Sequence, residues 1–238
     1  MSLTATYRLG TRLFWRDKSM LFASVITPVG LAVGLPTLMR HVATGGVANA
    51  AAVAHASLSI LLAITAFMNI TVALTARRDQ LVLKRLRSTR LTDGQLLLGQ
   101  IASTATQTVA LIVVCTVAVR FAAGVPLPAN PLAFAAVTIA GSAVMSLLGA
   151  AYTAAIPRSE LAAAYTMPVF LVAAVAAGAM GPIPVPSWLR PVLDLLPTTA
   201  VVDAVRTGEL VVPFLTLAGW TLAGLVALRW FRWEPRRS

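Results

Sequence analysis

Cys115, His41 and His55 are the side chains best suited to nucleophilic or metal chemistry, and their placement supports neither. Cys115 is the single cysteine and lies in an apolar run, so it can form no disulfide within the chain and no thiolate cluster, and it reads as a packing residue. The two histidines have no nearby acids to complete a metal site and read as polar residues at helix ends or inside a bundle. No Gly-x-Ser-Gly stands opposite a histidine on a facing span, as an intramembrane protease would need. The eight acids, Asp17, Asp79, Asp93, Glu160, Asp194, Asp203, Glu209 and Glu234, are dispersed, whereas a lipid-headgroup transferase gathers acids around metal and phosphate. Lys18 and Lys84 follow Asp17 and Leu83, not the glycine of a phosphate-binding loop. On this reading the chain carries no catalytic residue, no metal and no cofactor.

What stands out instead is a concentration of positive charge. From Arg77 to Arg90 the chain reads Arg-Arg-Asp-Gln-Leu-Val-Leu-Lys-Arg-Leu-Arg-Ser-Thr-Arg, a basic and partly amphipathic segment between two long apolar runs. In a soluble protein a formal charge of +11 would suggest nucleic acid. Here 58% of the 238 residues are hydrophobic, 11% are charged and mean hydropathy is +0.83, which is the composition of an integral membrane protein. The cations lie between apolar runs, and no nucleic-acid partner is expected.

Those runs define the elements that must present the basic segment. Roughly Val53 to Ala76 and Leu96 to Val119 contain no Asp, Glu, Lys or Arg, and each exceeds the about 20 residues a helix needs to cross a bilayer. Before them, Leu3 to Lys18 places Arg8, Arg12 and Arg16 every four residues opposite Leu3, Tyr7 and Phe14, the pattern of a helix lying in the membrane interface or of a basic flank before a span. Met20 to Met39 reads as a first span, kinked at Pro28 and Pro36, with Arg40 to Ala52 as a loop. Thr92-Asp93-Gly94-Gln95 is a capping box that starts the third span. Its Gln100, Ser103, Thr104, Gln107 and Thr108 form a polar stripe that must face another helix or a wet cavity.

Pro131 begins a fourth span reaching about Ile156, with Ser142, Ser146, Ala150 and Ala154 in a small-residue row. Pro157 to Glu160 is a short connection to a fifth span, about Leu161 to Gly181, bent at Pro168. Residues 182–209 hold two pieces too short to span, with Ser187 and Thr198 as candidate caps, and read as a re-entrant outer hairpin. A sixth span, about Leu210 to Leu228, ends in Arg229-Trp230-Phe231-Arg232-Trp233. The expected fold is all-α with six transmembrane helices. Arg8, Arg12, Arg16, Lys18, the cations of 77–90, Arg158, Arg229, Arg232, Arg236 and Arg237 then share one side, and only Arg40, Arg120, Arg190 and Arg206 lie on the other. The positive-inside bias puts both termini in the cytoplasm.

No acid falls inside a predicted span, although ion-coupled carriers place ionisable residues there at about 2.5–3.5 kcal/mol each. No inverted repeat of broken helices is evident. An ATP-independent carrier or channel, or a structural anchor of a larger complex, remains the alternative to a pore driven from outside.

Arg77-Arg78-Asp79-Gln80 through Lys84-Arg85-Leu86-Arg87-Ser88-Thr89, then Leu91-Thr92 and Leu98-Gly99-Gln100, resembles the connection between the second and third spans of type-2 ATP-binding-cassette (ABC) transporter permeases. Trp188-Leu189, Leu195-Leu196-Pro197 and Asp203-Ala204-Val205-Arg206 are similar to that family's segment before the last span. Many relatives have an acidic residue, Gly and Thr where this chain has Asp79-Gln80-Leu81.

The resemblance implies a single permease domain over residues 1–238, similar to bacterial drug and antibiotic exporters and set in the inner membrane. It implies a cytoplasmic ATPase subunit that carries the ATP and Mg, and a second permease subunit forming a homodimer or a paralogous heterodimer. The segment 77–95 becomes a cytoplasmic coupling helix, with Arg78, Asp79, Leu83, Lys84, Arg85, Leu86, Arg87, Ser88 and Thr89 as ATPase-coupling residues. Leu83 and Leu86 would enter an apolar cleft on the motor; a loop that binds lipid headgroups is the competing reading. Phe22, Phe67, Met68, Asn69, Tyr165, Met167 and Phe170 are candidates to line an apolar cavity for a lipophilic or drug-like substrate, or are ordinary packing residues.

Overall fold

A computed structural model of the chain describes residues 25–42, 46–81, 92–181, 183 and 185–231. The expected interfacial helix at Leu3 to Lys18, Phe22, and residues 82–91 of the basic segment lie outside them. The described residues form helices and connecting turns, with no strand among them.

Helix α1 spans Thr27–Val42 and contains Pro36. Helix α2 runs without a break over Gly46–Asp79, and its middle part, Leu62–Met68, is wound as a π-helix. The wider winding shows in the Asn69 N–H, which donates to the Ile64 carbonyl five residues back. Helix α3 is Asp93–Ala123 and α4 is Pro131–Tyr152, prolonged by a 3-10 turn Thr153–Ala155. A second 3-10 turn, Ser159–Leu161, leads into α5, Ala162–Ala176. Two short helices, α6 Arg190–Asp194 and α7 Pro197–Thr207, precede α8, Val211–Ala227.

Among the described residues, five segments are long and apolar enough to cross a membrane: Gly46–Asp79, Asp93–Ala123, Pro131–Ala155, Ser159–Ala176 and Val211–Trp230. They correspond to the second through sixth expected spans. The first expected span is described only from residue 25 onward.

Several boundaries move for local reasons. The second span begins at Gly46, not Val53, because the Ala-rich stretch Val47 to Ala52 joins the helix instead of a loop. Helix α3 continues to Ala123 and stops where Gly124 adopts φ 68°, a conformation that glycine takes without strain. The capping box is present, with the Thr92 hydroxyl accepting from the Gln95 N–H and the Gln95 side chain accepting from the Thr92 N–H. Asn130 caps α4 ahead of Pro131 through the Ala133 N–H. The short helices are not capped by Ser187 and Thr198. The N-cap positions are Leu189 and Leu196, neither of which supplies a side-chain cap, and a proline in the first turn sets the backbone of each.

Helix α4 lies at the centre and packs against α2, α3, α7 and α8. Hydrocarbon gives apolar helices no hydrophobic reason to associate with one another, so close backbone approach and interhelical hydrogen bonds must hold such a bundle. Both are present. Gly149 on α4 sits against the Phe67 carbonyl of α2, and Thr71 Oγ1 of α2 donates to the Gly149 carbonyl at 2.9 Å. Gly141 of α4 lies under Val201 of α7.

The polar stripe of α3 turns inward to protein. Gln100, Ser103 and Thr108 are buried, Thr65 Oγ1 of α2 donates to Thr108 Oγ1 at 3.1 Å, and Arg77 of α2 donates to Gln100. Thr65, Thr71 and Thr75 also donate to carbonyls four residues back, which lets an apolar helix carry hydroxyls without leaving them unpaired.

The two ends of the bundle differ as the cation pattern predicts. Arg40 lies beside Gly124, Arg120 donates to the Gly124 carbonyl, and Arg206 reaches the Ala52 carbonyl, so these three share one end. Phe231 packs with Leu74 and Leu97 at the other, basic end, where Arg77, Arg78, Arg158 and Arg229 are found.

Candidate functional site

The basic end is built around Arg78. On the last three turns of α2, Ile70, Thr71, Leu74, Thr75 and Arg78 are the buried positions, so Arg78 continues an inward-facing stripe whose members are spaced three and four residues apart along one helix face. Its side chain is fully buried, at 0% exposure. Nη1 donates to the Thr153 carbonyl at 3.1 Å, Nη2 to the Ile156 carbonyl at 2.9 Å and to the Pro157 carbonyl at 3.3 Å, and Nε to Asp79 Oδ1 at 3.2 Å. Asp79 Oδ2 accepts from the Ser159 N–H at 2.6 Å.

The chemistry of these partners explains the choice of residue. Carbonyls at the end of a helix run short of intrahelical donors, although that of Thr153 also accepts the Ile156 N–H at 3.3 Å, and the end of a helix carries partial negative charge. A planar guanidinium with several N–H groups can serve several of them at once. Just beyond Asp79 the chain leaves α2 through Gln80 and Leu81, and Leu81 takes φ 57°. It is described again from Thr92.

Of the residues expected to couple to an ATPase, Arg78 and Asp79 are therefore held within the chain, and Arg78 presents no surface to a partner. The inward placement follows from the stripe of α2, which overrides the run of surrounding cations. Leu83, Lys84, Arg85, Leu86, Arg87, Ser88 and Thr89 lie outside the described residues.

A second feature is an apolar cavity of about 620 Å³ between α2, α4, α5, α7 and α8. Phe67, Met145, Tyr152, Val172, Trp220 and Trp230 contribute to its wall. The Phe67 and Tyr152 rings meet at 5.3 Å with a 47° tilt, and Tyr152 donates to the Tyr165 carbonyl at 2.9 Å. Trp220 Nε1 donates to the Leu195 carbonyl at 2.7 Å, which fixes the indole against the α6–α7 junction. The Thr198 hydroxyl, buried and without a hydrogen-bond partner among the described residues, also lies on the wall. The cavity suits an apolar molecule with at most one or two polar groups.

Of the seven cavity residues expected from sequence, Phe67 lines this space. Phe170 packs against Ala56 and Ile60 instead, Tyr165 and Met167 are exposed on α5, and Met68 and Asn69 are half-buried on α2. Trp220, Trp230 and Met145 were missed; of these the sequence reading marks only Trp230, as part of the interfacial stretch that ends the sixth span.

At the opposite end, Asp194, Asp203 and Glu209 border a space of about 240 Å³. Burial pushes the Asp203 carboxyl above its ordinary 3.8; Arg206 opposes this and Asp194 adds to it. A carboxyl raised on folding binds its proton more readily in the folded state, so stability rises as pH falls from neutrality through the raised value, and levels off below 3.8. Asp203→Asn is expected to raise the melting temperature at neutral pH and to flatten its rise on acidification, measured by thermal unfolding in detergent across that range. An equal pH dependence in both proteins would contradict this.

Residues 2–210 match the family model described as ABC-2 type transporter. Comparison with curated proteins finds no match.

Proposed function

The chain belongs to the ABC-2 type transporter family, a multi-pass membrane protein of the permease class, and from that premise we propose that it is the translocating subunit of an exporter for lipophilic, drug-like molecules. Two copies, or one copy and a paralogue, would frame the path, and a separate cytoplasmic ATPase subunit would bind ATP and Mg and supply the work. Both termini and the basic end would face the cytoplasm of a bacterial cell, in keeping with the positive-inside bias.

The observation that carries the reading is the setting of the segment between α2 and α3. The chain leaves a helix end pinned by Arg78 and Asp79 and returns into a helix start fixed by the Thr92 capping box, on the end of the bundle that gathers the cations. Between those anchors stand Leu83, Lys84, Arg85, Leu86, Arg87, Ser88 and Thr89, which we assign to the motor contact, the leucines in an apolar cleft and the cations on an acidic rim. A motor that binds two permease conformations with different affinity would then shift the balance between them. The apolar cavity lined by Phe67 supports a lipophilic substrate.

Reversing the charge of Lys84, Arg85 and Arg87 together is expected to lower recovery of the ATPase with the affinity-purified permease by about tenfold or more, while membrane insertion is unchanged. Undiminished recovery by the variant, or no ATPase recovered with the wild-type chain, would overturn the proposal.

A further inference from the structure

Arg78 and Asp79 do more than end α2. Arg78 meets the carbonyls of Thr153, Ile156 and Pro157, where α4 finishes, and Asp79 meets the N–H of Ser159, at the first residue of the turn that opens α5. The cation thus sits at a negative helix end, the anion at the start of the following helix, and the Nε–Oδ1 bond joins the two at 3.2 Å. Two adjacent residues of one connection cap both sides of another, and the guanidinium that does so is wholly enclosed.

We propose that Arg78 and Asp79 are positioning residues that make the α2–α3 and α4–α5 connections one mechanical body. A displacement imposed on residues 82–91 then reaches α4 and α5 directly, as well as α2 and α3. The inference rests on the motor contact proposed above, but the body itself exists with or without a motor. A guanidinium is needed because its donors diverge in one plane toward three carbonyls; a lysine ammonium keeps the charge and loses the fork. Gly149 and Thr71 tie α2 to α4 again farther along the same helices, so the linked region extends into the spanning part of the bundle.

Two variants test this. Arg78→Lys retains the charge. Ser159→Pro replaces the N–H that Asp79 accepts with a ring carbon, so the Asp79 carboxylate has to turn away; Arg158 is already extended at φ −140°, ψ 150°, as a residue before proline prefers, and the first position of a helical turn tolerates proline. In a Cys115→Ala background, spin labels are placed at Gln80 and Glu160, both exposed. Without ATPase, the wild-type chain in lipid vesicles should give one narrow distance distribution, and each variant a broader one.

With the ATPase bound, each variant should keep the ATP-dependent shift of the label at Gln80 and lose that at Glu160. Transport per ATP should fall by about tenfold, within the usual range of coupling between sites. Joining the two introduced thiols of Gln80→Cys/Glu160→Cys/Arg78→Lys with a bifunctional maleimide should restore it, which a fold defect would not allow. Distance distributions as narrow as wild type in both variants, or an undiminished shift at Glu160, would overturn the proposal. If the wild-type chain shows no ATP-dependent shift at Gln80, the motor reading fails, and the ATPase-free distances alone decide whether the two connections form one body.

Discussion

Arg78→Ala is expected to lower the stability of the folded chain by about 3–5 kcal/mol, the range for removing one member of a buried, hydrogen-bonded charged pair. The side chain is fully buried, and its loss leaves the Ile156 and Pro157 carbonyls without the guanidinium donor, the Thr153 carbonyl with only the Ile156 N–H, and Asp79 Oδ1 without its cation. Each buried polar group left unpaired costs about 1–3 kcal/mol. Water can reach Asp79, whose side chain is 22% exposed, so most of the loss falls on the carbonyls. Equilibrium unfolding in mixed micelles measures the difference, and Arg78→Met separates its parts, because methionine fills much of the volume but donates nothing. A loss below about 1 kcal/mol for the alanine variant would mean that the carbonyls find other donors.

Gly149→Ala should cost about 1–3 kcal/mol, as overfilling a packed contact does, and Gly149→Val more. A Cβ at this position would stand 2.5 Å from the Phe67 carbonyl oxygen, 2.6 Å from Ile70 Cγ2 and 3.0 Å from Thr71 Oγ1. The first of these is backbone and cannot rotate away. Helices α2 and α4 would have to part, stretching the 2.9 Å bond from Thr71 to the Gly149 carbonyl. Gly94→Ala is the control, since nothing lies within 4 Å of its Cβ position and alanine is the better helix former. The same unfolding assay ranks the three variants. Equal stability of Gly149→Ala and wild type would contradict the close approach.

Five spanning helices were legible because membrane length and charge exclusion are strong signals: the second through sixth apolar runs coincide with helices whose ends differ by several residues, and the Thr92 cap and Pro131 start helices as expected. The segregation of Arg40, Arg120 and Arg206 from Arg77, Arg78 and Arg158 was legible for the same reason. Arg78 reads as partner-facing because its neighbours are charged, although its spacing from Thr71 and Leu74 puts it on the stripe that is buried within this chain. What it binds could not be read at all, since three of its partners are backbone carbonyls, which every sequence supplies everywhere. The cavity was illegible for a related reason. Phe67, Met145 and Trp220 come from three helices, and apolar residues carry no mark of which neighbour they will face.

The π-wound turn at Leu62–Met68 gives α2 a choice of screw. Rewinding it to the tighter α form would rotate everything beyond it by about 100°, one residue's worth of helix, about the helix axis. Such a rotation would swing Arg78 out from under the end of α4 and turn Thr71 away from Gly149. The guanidinium therefore acts as a pawl on the thread: while it is engaged, the lower half of α2 has one permitted angle.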